Sequence, residues 1–122
     1  MKFTIQGELP DLNTYTNDER GNKYAGAGLK KKATNKVAMS IKDKKTINRT
    51  KFKRSVCFYV VYYCKDRRKD KDNIAFAKKF IFDGLQQAGV IENDGWNNIE
   101  SWEERFEIDK ENPRIEVELW SE

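Results

Sequence analysis

Residues 55 to 64, Ser-Val-Cys-Phe-Tyr-Val-Val-Tyr-Tyr-Cys, run without a single charge and are rich in β-branched and aromatic types. A run of that length and composition reads as a strand covered on both faces, because a strand with one wet face alternates apolar and polar residues instead. Such a strand needs a sheet beside it and packed helices, so it organises the rest of the chain. Its two cysteines, Cys57 and Cys64, lie seven positions apart, and successive strand residues point to opposite sides. They therefore face away from each other and are expected to remain reduced thiols.

Around this strand the other elements read in order. Residues 2 to 9 alternate, with Phe3, Ile5 and Leu9 on one side, and suggest a strand that stops at Pro10. From Pro10 to Gly28 the composition turns to Asn, Thr, Asp, Gly and Tyr, the chemistry of a long loop. Residues 29 to about 46 carry Leu29, Ala33, Val37, Met39 and Ile41 among many lysines and predict a basic amphipathic helix. A second helix is expected from about residue 72 to Ala88, stopping at Gly89. Residues 98 to 109 and 114 to 120 alternate as strands, with Asn112-Pro113 as the turn between them. The order β-loop-α-β-α-β-β describes a small α/β (α+β) domain spanning 1–122, with a mixed sheet of about four strands and two main helices.

Charge divides the chain. Residues 1 to 69 hold 18 Lys and Arg against 6 Asp and Glu, a charge of +12, whereas residues 70 to 122 hold 6 against 14, a charge of −8. A basic half of this density suits a polyanion, since clustered Lys and Arg release the counterions of a phosphate backbone. A merely solvated basic surface is the plainer alternative. The candidates for nucleic-acid contact are Tyr15, Arg20 and Lys23 in the loop, together with Lys30, Lys31, Lys32 and Lys36 in the helix that follows. Arg67, Arg68 and Lys69 extend the set beyond the central strand. No apolar run is long enough to span a bilayer, and the first residues turn polar too soon for a signal peptide, so a soluble cytoplasmic protein without membrane association is expected.

Absences narrow the chemistry. The chain has no histidine, which removes Ser-His-Asp, Cys-His and HNH-type sites, and two cysteines cannot close a four-ligand zinc site. No phosphate-binding Gly-rich loop is present, so no nucleotide cofactor is expected. Carboxylates, lysines and a hard metal ion remain. Asp70 and Asp72, two residues apart, sit where the basic region ends and the second helix begins, and Asp94 follows that helix. Clustered carboxylates repel one another, and Mg²⁺ (or Mn²⁺) with oxygen ligands relieves that repulsion and can activate water against a phosphodiester. The plainer readings are a helix cap for Asp72 or Asn73 and a turn residue for Asp94.

On a helical wheel started at Asp72, Ile74, Ala77, Ile81, Leu85 and Ala88 cluster between about 140° and 220° as a core stripe. Lys79 and Asp83 fall within about 20° of Asp72 on the opposite face, whereas Lys78 stands near 240°, at the edge of the stripe. Lys79 is thus the lysine expected to share a surface with the acids, although an ordinary Lys79–Asp83 ion pair fits the same spacing.

The run Asp70-Lys71-Asp72-Asn73-Ile74, then Lys79, Asp83-Gly84-Leu85, Gly89-Val90-Ile91 and Glu92-Asn93-Asp94, resembles the RusA family of phage-derived Holliday junction resolvases. The opening strand leading to Leu9-Pro10-Asp11-Leu12-Asn13-Thr14-Tyr15 is similar to that family's approach to an Asn-x-Tyr. The resemblance extends from Lys2 to about Leu119. It implies a homodimeric, Mg²⁺-dependent endonuclease, of phage or prophage origin in a bacterial host, that nicks symmetric strands of a four-way DNA junction in recombination and repair. By position Asp70, Asp72 and Asp94 would carry the metal, Lys79 would support phosphate or water, and Asn13 would join the DNA contacts. The chain departs from the pattern in two places. The lysine commonly lies four residues after the second aspartate, where Phe76 stands here, and the usual Asp-Asp turn is Asn93-Asp94. Two other readings stay open: a non-catalytic module for branched or single-stranded nucleic acid, and a broader flap or fork nuclease.

Overall fold

The computed structural model describes residues 1–41 and 51–122, apart from the Lys23 side chain. Four strands, β1 (Lys2–Gln6), β2 (Val56–Cys64), β3 (Ile99–Ile108) and β4 (Arg114–Trp120), form one mixed sheet in the order β1-β4-β2-β3. β4 is antiparallel to both β1 and β2, while β3 lies parallel to β2 at the sheet edge. Among the described residues the helices are α1 (Leu12–Gly21), α2 (Lys23–Ser40), the short α3 (Lys71–Ala75) and α4 (Lys78–Gln87). The fold is α+β.

The apolar run becomes β2, with strand neighbours on both sides. Val56, Phe58, Val60 and Tyr62 on one of its faces share a core with Ala33, Val37 and Ile41 of the α2 segment and with Phe80, Ile81 and Leu85 of α4. On the other face Cys57 and Val61 are buried, but Tyr59 and Tyr63 between them are only half-buried. The expectation of two fully covered faces is therefore corrected: the helices named share the core of one face, and the other stays partly open to water at Tyr59 and Tyr63. Both cysteines are free thiols.

The expected long loop over 10–28 is instead two helical segments. Asp11 caps α1 by accepting from the Thr14 amide at 2.8 Å, and Asn22, extended at φ −167°, ends α1 and caps α2 through the Tyr24 amide at 2.8 Å. α1 has no fully buried residue, so it carries too weak an apolar period to stand out from its turn-forming composition. Gly26 reads as a turn signal yet marks close packing, since a Cβ there would come within 2.6 Å of Glu19 Cγ. The basic helix begins six residues earlier than expected and ends at Ser40. Its expected final turn, with Lys42, Lys44 and Lys45, lies outside the described residues.

The second expected helix is broken. α3 closes at Phe76, and α4 opens after Ala77 with no side-chain cap. The core stripe survives the break: Ala77, Ile81 and Leu85 are buried, and Ile74 and Ala88 are half-buried. The wheel omitted Phe80, which is fully buried. Gly89, at φ +77°, supplies the left-handed residue that ends α4 where the sequence indicated.

Candidate functional site

Beyond Cys64 the chain leaves the sheet, turns through Asp66-Arg67-Arg68-Lys69 and enters α3 at Asp70. Asp70 occupies the cap position, but its carboxylate makes no capping hydrogen bond. Asp72 lies in the first turn and accepts from the adjacent Asn73 amide at 2.9 Å. Both carboxylates are exposed, and neither is paired with a cation among the described residues. They line an open groove with Arg67, Lys71, Phe106 and Ile108, between α3 and the last residues of β3. The cap position thus falls on Asp70, and of the two residues for which a plain cap was the alternative, Asp72 accepts only that adjacent amide. Asn73 caps nothing in α3: its side-chain oxygen reaches across to the Asn13 amide at 3.0 Å and ties α3 to α1.

The neighbouring charges divide into bound and free. Lys69 is held by Asp11 at 2.8 Å and Glu8 at 3.6 Å, so it fastens the strand exit to the start of α1. Arg68 pairs with Asp66 at 3.7 Å, Lys30 with Asp83 at 3.9 Å, and Lys36 donates to the Glu8 carbonyl at 3.4 Å. Arg67, Lys31, Lys32 and Arg20 are exposed without ion pairs among the described residues and remain available to phosphate. Tyr15 is not: its ring packs against Phe76 and Phe80 at 5.4 and 6.1 Å between centroids. Asn13 contributes its backbone amide to the fold, and the Lys23 side chain lies outside what is described.

Asp94 does not join the acid pair. β2 and β3 are parallel, with Val56 beside Ile99 and Cys64 beside Ile108. Asp94 precedes the start of β3, whereas Asp70 and Asp72 sit beyond the end of β2. The nine residues of β2 separate the two ends by roughly 26 Å at a strand's rise per residue. Among the described residues no three acidic or thiol side chains gather as a metal-holding group, so the expected convergence of Asp70, Asp72 and Asp94 is not formed within the chain. Asp70 and Asp72 alone still fit what Mg²⁺ asks of a protein. That ion is commonly held by one or two carboxylates, with water and substrate phosphate completing its octahedron.

The two lysines also part company. Lys79 is exposed without an ion pair among the described residues, and Asp83, its expected partner, is taken by Lys30. Lys78 is held by the Glu104 carboxylate on β3 and lies over the Trp102 ring at 5.0 Å. The second oxygen of Glu104 is buried without a hydrogen bond, as is the nearby Tyr62 hydroxyl. Burial first, and then the charge of Glu104, push the Tyr62 pKa well above the ordinary tyrosine range. Removing Lys78 leaves this carboxylate unpaired, at a cost of about 1–3 kcal/mol. Lys78→Ala is therefore expected to lower the urea midpoint clearly, and Lys79→Ala to leave it nearly unchanged. Equal midpoints would refute the assignment.

Among the described residues Asp11 is the one strongly buried carboxylate, at 5% exposure. Burial raises its pKa, but hydrogen bonds from Lys69 and Thr14 outweigh that effect, and the net value is lowered from 3.8. A carboxylate more acidic in the folded state contributes stability that is present above its unfolded pKa and lost as pH falls through the folded one. Asp11→Asn keeps an acceptor for Thr14 and loses the charge. Its stability deficit is expected at pH 7 and should shrink as pH drops below about 4; urea melts at pH 7 and pH 3 check this, and a deficit equal at both would remove the ion pair from the account.

Comparison of the chain with protein-family models and with curated proteins finds no match.

Proposed function

We propose that the chain is a divalent-metal-dependent endonuclease acting on branched DNA, with four-way junctions as its substrate. The observation that carries this reading is the pair of carboxylates, Asp70 and Asp72, left unclaimed by any described cation in an open groove beside free Arg67. Unpaired acids beside a basic surface repel phosphate unless a cation intervenes, which gives a hard metal ion a physical role there. The choice of a junction over other nucleic acids comes from the sequence resemblance to RusA-type resolvases.

In this reading Asp70 and Asp72 hold Mg²⁺, which when bound supplies a Lewis acid for the phosphodiester and a more acidic water. Arg67 orients a phosphate at the groove mouth, and Lys31 and Lys32 extend the contact along α2. Asp94 stands apart from this pair and is left out of the chemistry within one chain. The test is a labelled four-way junction with Mg²⁺, compared with a flap and a linear duplex. Paired nicks in the junction support the reading, whereas equal cutting of all three would favour a broader fork or flap nuclease.

The distance of Asp94 from the acid pair favours one competing reading, a non-catalytic module for branched or single-stranded nucleic acid. It predicts tight, steeply salt-dependent junction binding with no metal-dependent product.

A further inference from the structure

All three tryptophans of the chain stand at one end of the molecule, opposite the acid pair, and all three are exposed: Trp96 at 96%, Trp102 at 49% and Trp120 at 40%. Trp96 lies in the turn before β3, Trp102 faces the helices opposite Phe58, and Trp120 ends β4 opposite Cys57. Phe82, Asp94, Glu100, Trp96 and Trp102 line a shallow groove there. Trp96 and Trp102, left in water beside one groove, mark a surface that meets something else, because burial of large aromatics is among the larger favourable terms available to a protein.

The same end carries three cations without ion pairs among the described residues, Lys51, Lys53 and Arg54. The segment before β2 is fixed on both sides: Phe52 donates its amide to Val90 at 2.9 Å, Val56 donates to Asn98 at 2.9 Å, and Ser121 holds the Ser55 carbonyl at 3.1 Å. Lys51, Lys53 and Arg54 therefore project from a stretch bracketed by the turn of Trp96 and the end of β4. All three are exposed and without ion pairs among the described residues. Acids are present as well. Glu92 and Asp94 are exposed, Glu100 accepts from Ser55 at 3.1 Å, and Glu122 ends the chain. They stand mainly on the turn and β3 side, and the cations on the β2 side.

From this division we infer that the tryptophan end is a binding site for unpaired nucleotides. A base stacks on Trp96, with the half-exposed Trp102 bordering it below Lys78, the backbone runs along Lys51, Lys53 and Arg54, and Asp94 accepts from the exocyclic amino group of a base. Stacking of this kind tolerates any base, since each has a π-face, and it requires strands that are not already paired. A cationic peptide would meet the aromatics and the acids of the turn but would leave Lys51, Lys53 and Arg54 without a counter-charge, which a phosphate backbone supplies. The inference rests on reading the chain as a nucleic-acid protein and adds the part of the substrate that this end holds: the opened or single-stranded segment of a branched DNA, about a strand's length away from the acids.

Because no tryptophan lies elsewhere, tryptophan fluorescence reports this end of the molecule, with Trp120, on the opposite face of the sheet, as a constant background. Full-length protein is titrated with an unstructured mixed-sequence deoxyoligonucleotide of about 12 nucleotides, within the span one such surface covers, and with duplex of the same length. Quenching by the single strand, stronger than by duplex, is expected. Trp96→Ala should weaken binding about tenfold, within the range that stacking on one aromatic supplies, and as a nearly fully exposed side chain it can be removed without disturbing the core. The double change Lys53→Ala, Arg54→Ala should reduce the salt dependence of binding. An unchanged affinity in Trp96→Ala, or quenching by an oligolysine peptide in place of DNA, would overturn the inference. Should Trp96→Ala bind single strands normally while wild type still nicks junctions, only the tryptophan site is lost. Should no nucleic acid bind at all, the proposed function falls with it.

Discussion

Asp72→Asn is expected to reduce Mg²⁺-dependent nicking of a four-way junction by roughly 100-fold or more, the scale of losing several kcal/mol of charge stabilisation at the metal. Folding should be nearly unaffected. Asp72 is exposed in the first turn of α3, without an ion pair among the described residues. Its charge there contributes about 0.3–1 kcal/mol through the helix end, and Asn retains an acceptor for the Asn73 amide. Single-turnover cleavage measured beside a urea melt separates the two effects. Junction binding without metal should persist or strengthen, because one repulsive charge has gone. Cleavage at the wild-type rate with an unchanged melt would remove Asp72 from the chemistry and leave the non-catalytic module as the better account.

Gly84→Ala is the substitution whose expected effect on stability runs most directly against helix propensity. In the interior of an exposed helix this change is worth about 1 kcal/mol of stabilisation. Gly84 lies in α4 where α2 crosses it, and a Cβ there would stand 2.4 Å from Val37 Cγ1, 2.5 Å from Val37 Cβ and 3.2 Å from the Ala38 amide nitrogen. Val37 is itself fully buried and stiff at χ1, so it cannot swing aside, and the two helices must separate. Overpacking of this kind commonly costs 1–3 kcal/mol. We expect a net loss of about 1 kcal/mol, or a fall in Tm of roughly 4 °C for a domain of this size. Gly28→Ala, in α2 with no atom within 4 Å of the added Cβ, is the control. It should raise Tm, and if both substitutions stabilise, the close helix crossing is wrong.

Legibility in the sequence followed how much of each element is decided locally. β2, β3 and β4 announced themselves because period-two alternation and continuous apolar runs are written into neighbouring residues. Gly89 could be read as a helix stop because only a left-handed residue fits there. α1 could not be read. Its residues are those of turns, none is fully buried, and its helical state depends on the Asp11 cap and on Lys69, 58 positions away along the chain. The break between α3 and α4 was equally hidden, since Ile74, Ala77 and Ile81 keep a helical spacing across it.

The candidate site shows the same division. That Asp70 and Asp72 share one local surface, beside Arg67 and apart from the core, was contained in their spacing and in the charge change around them. Which of the surrounding cations stay free was not, because Asp11, Glu8, Asp66 and Asp83 claim Lys69, Arg68 and Lys30 only once the chain has folded. The sequence by itself determined the strands, the helical core stripe, the charge asymmetry and the paired acids, all of which depend on residues within a few positions of one another. Only the tertiary structure decided that Asp94 lies at the opposite end of a parallel strand pair from those acids, and that three tryptophans from separate segments stand at that same end, Trp102 and Trp120 on opposite faces of the sheet. A parallel connection carries the chain back to the end of the sheet from which it started, and no local pattern records that return.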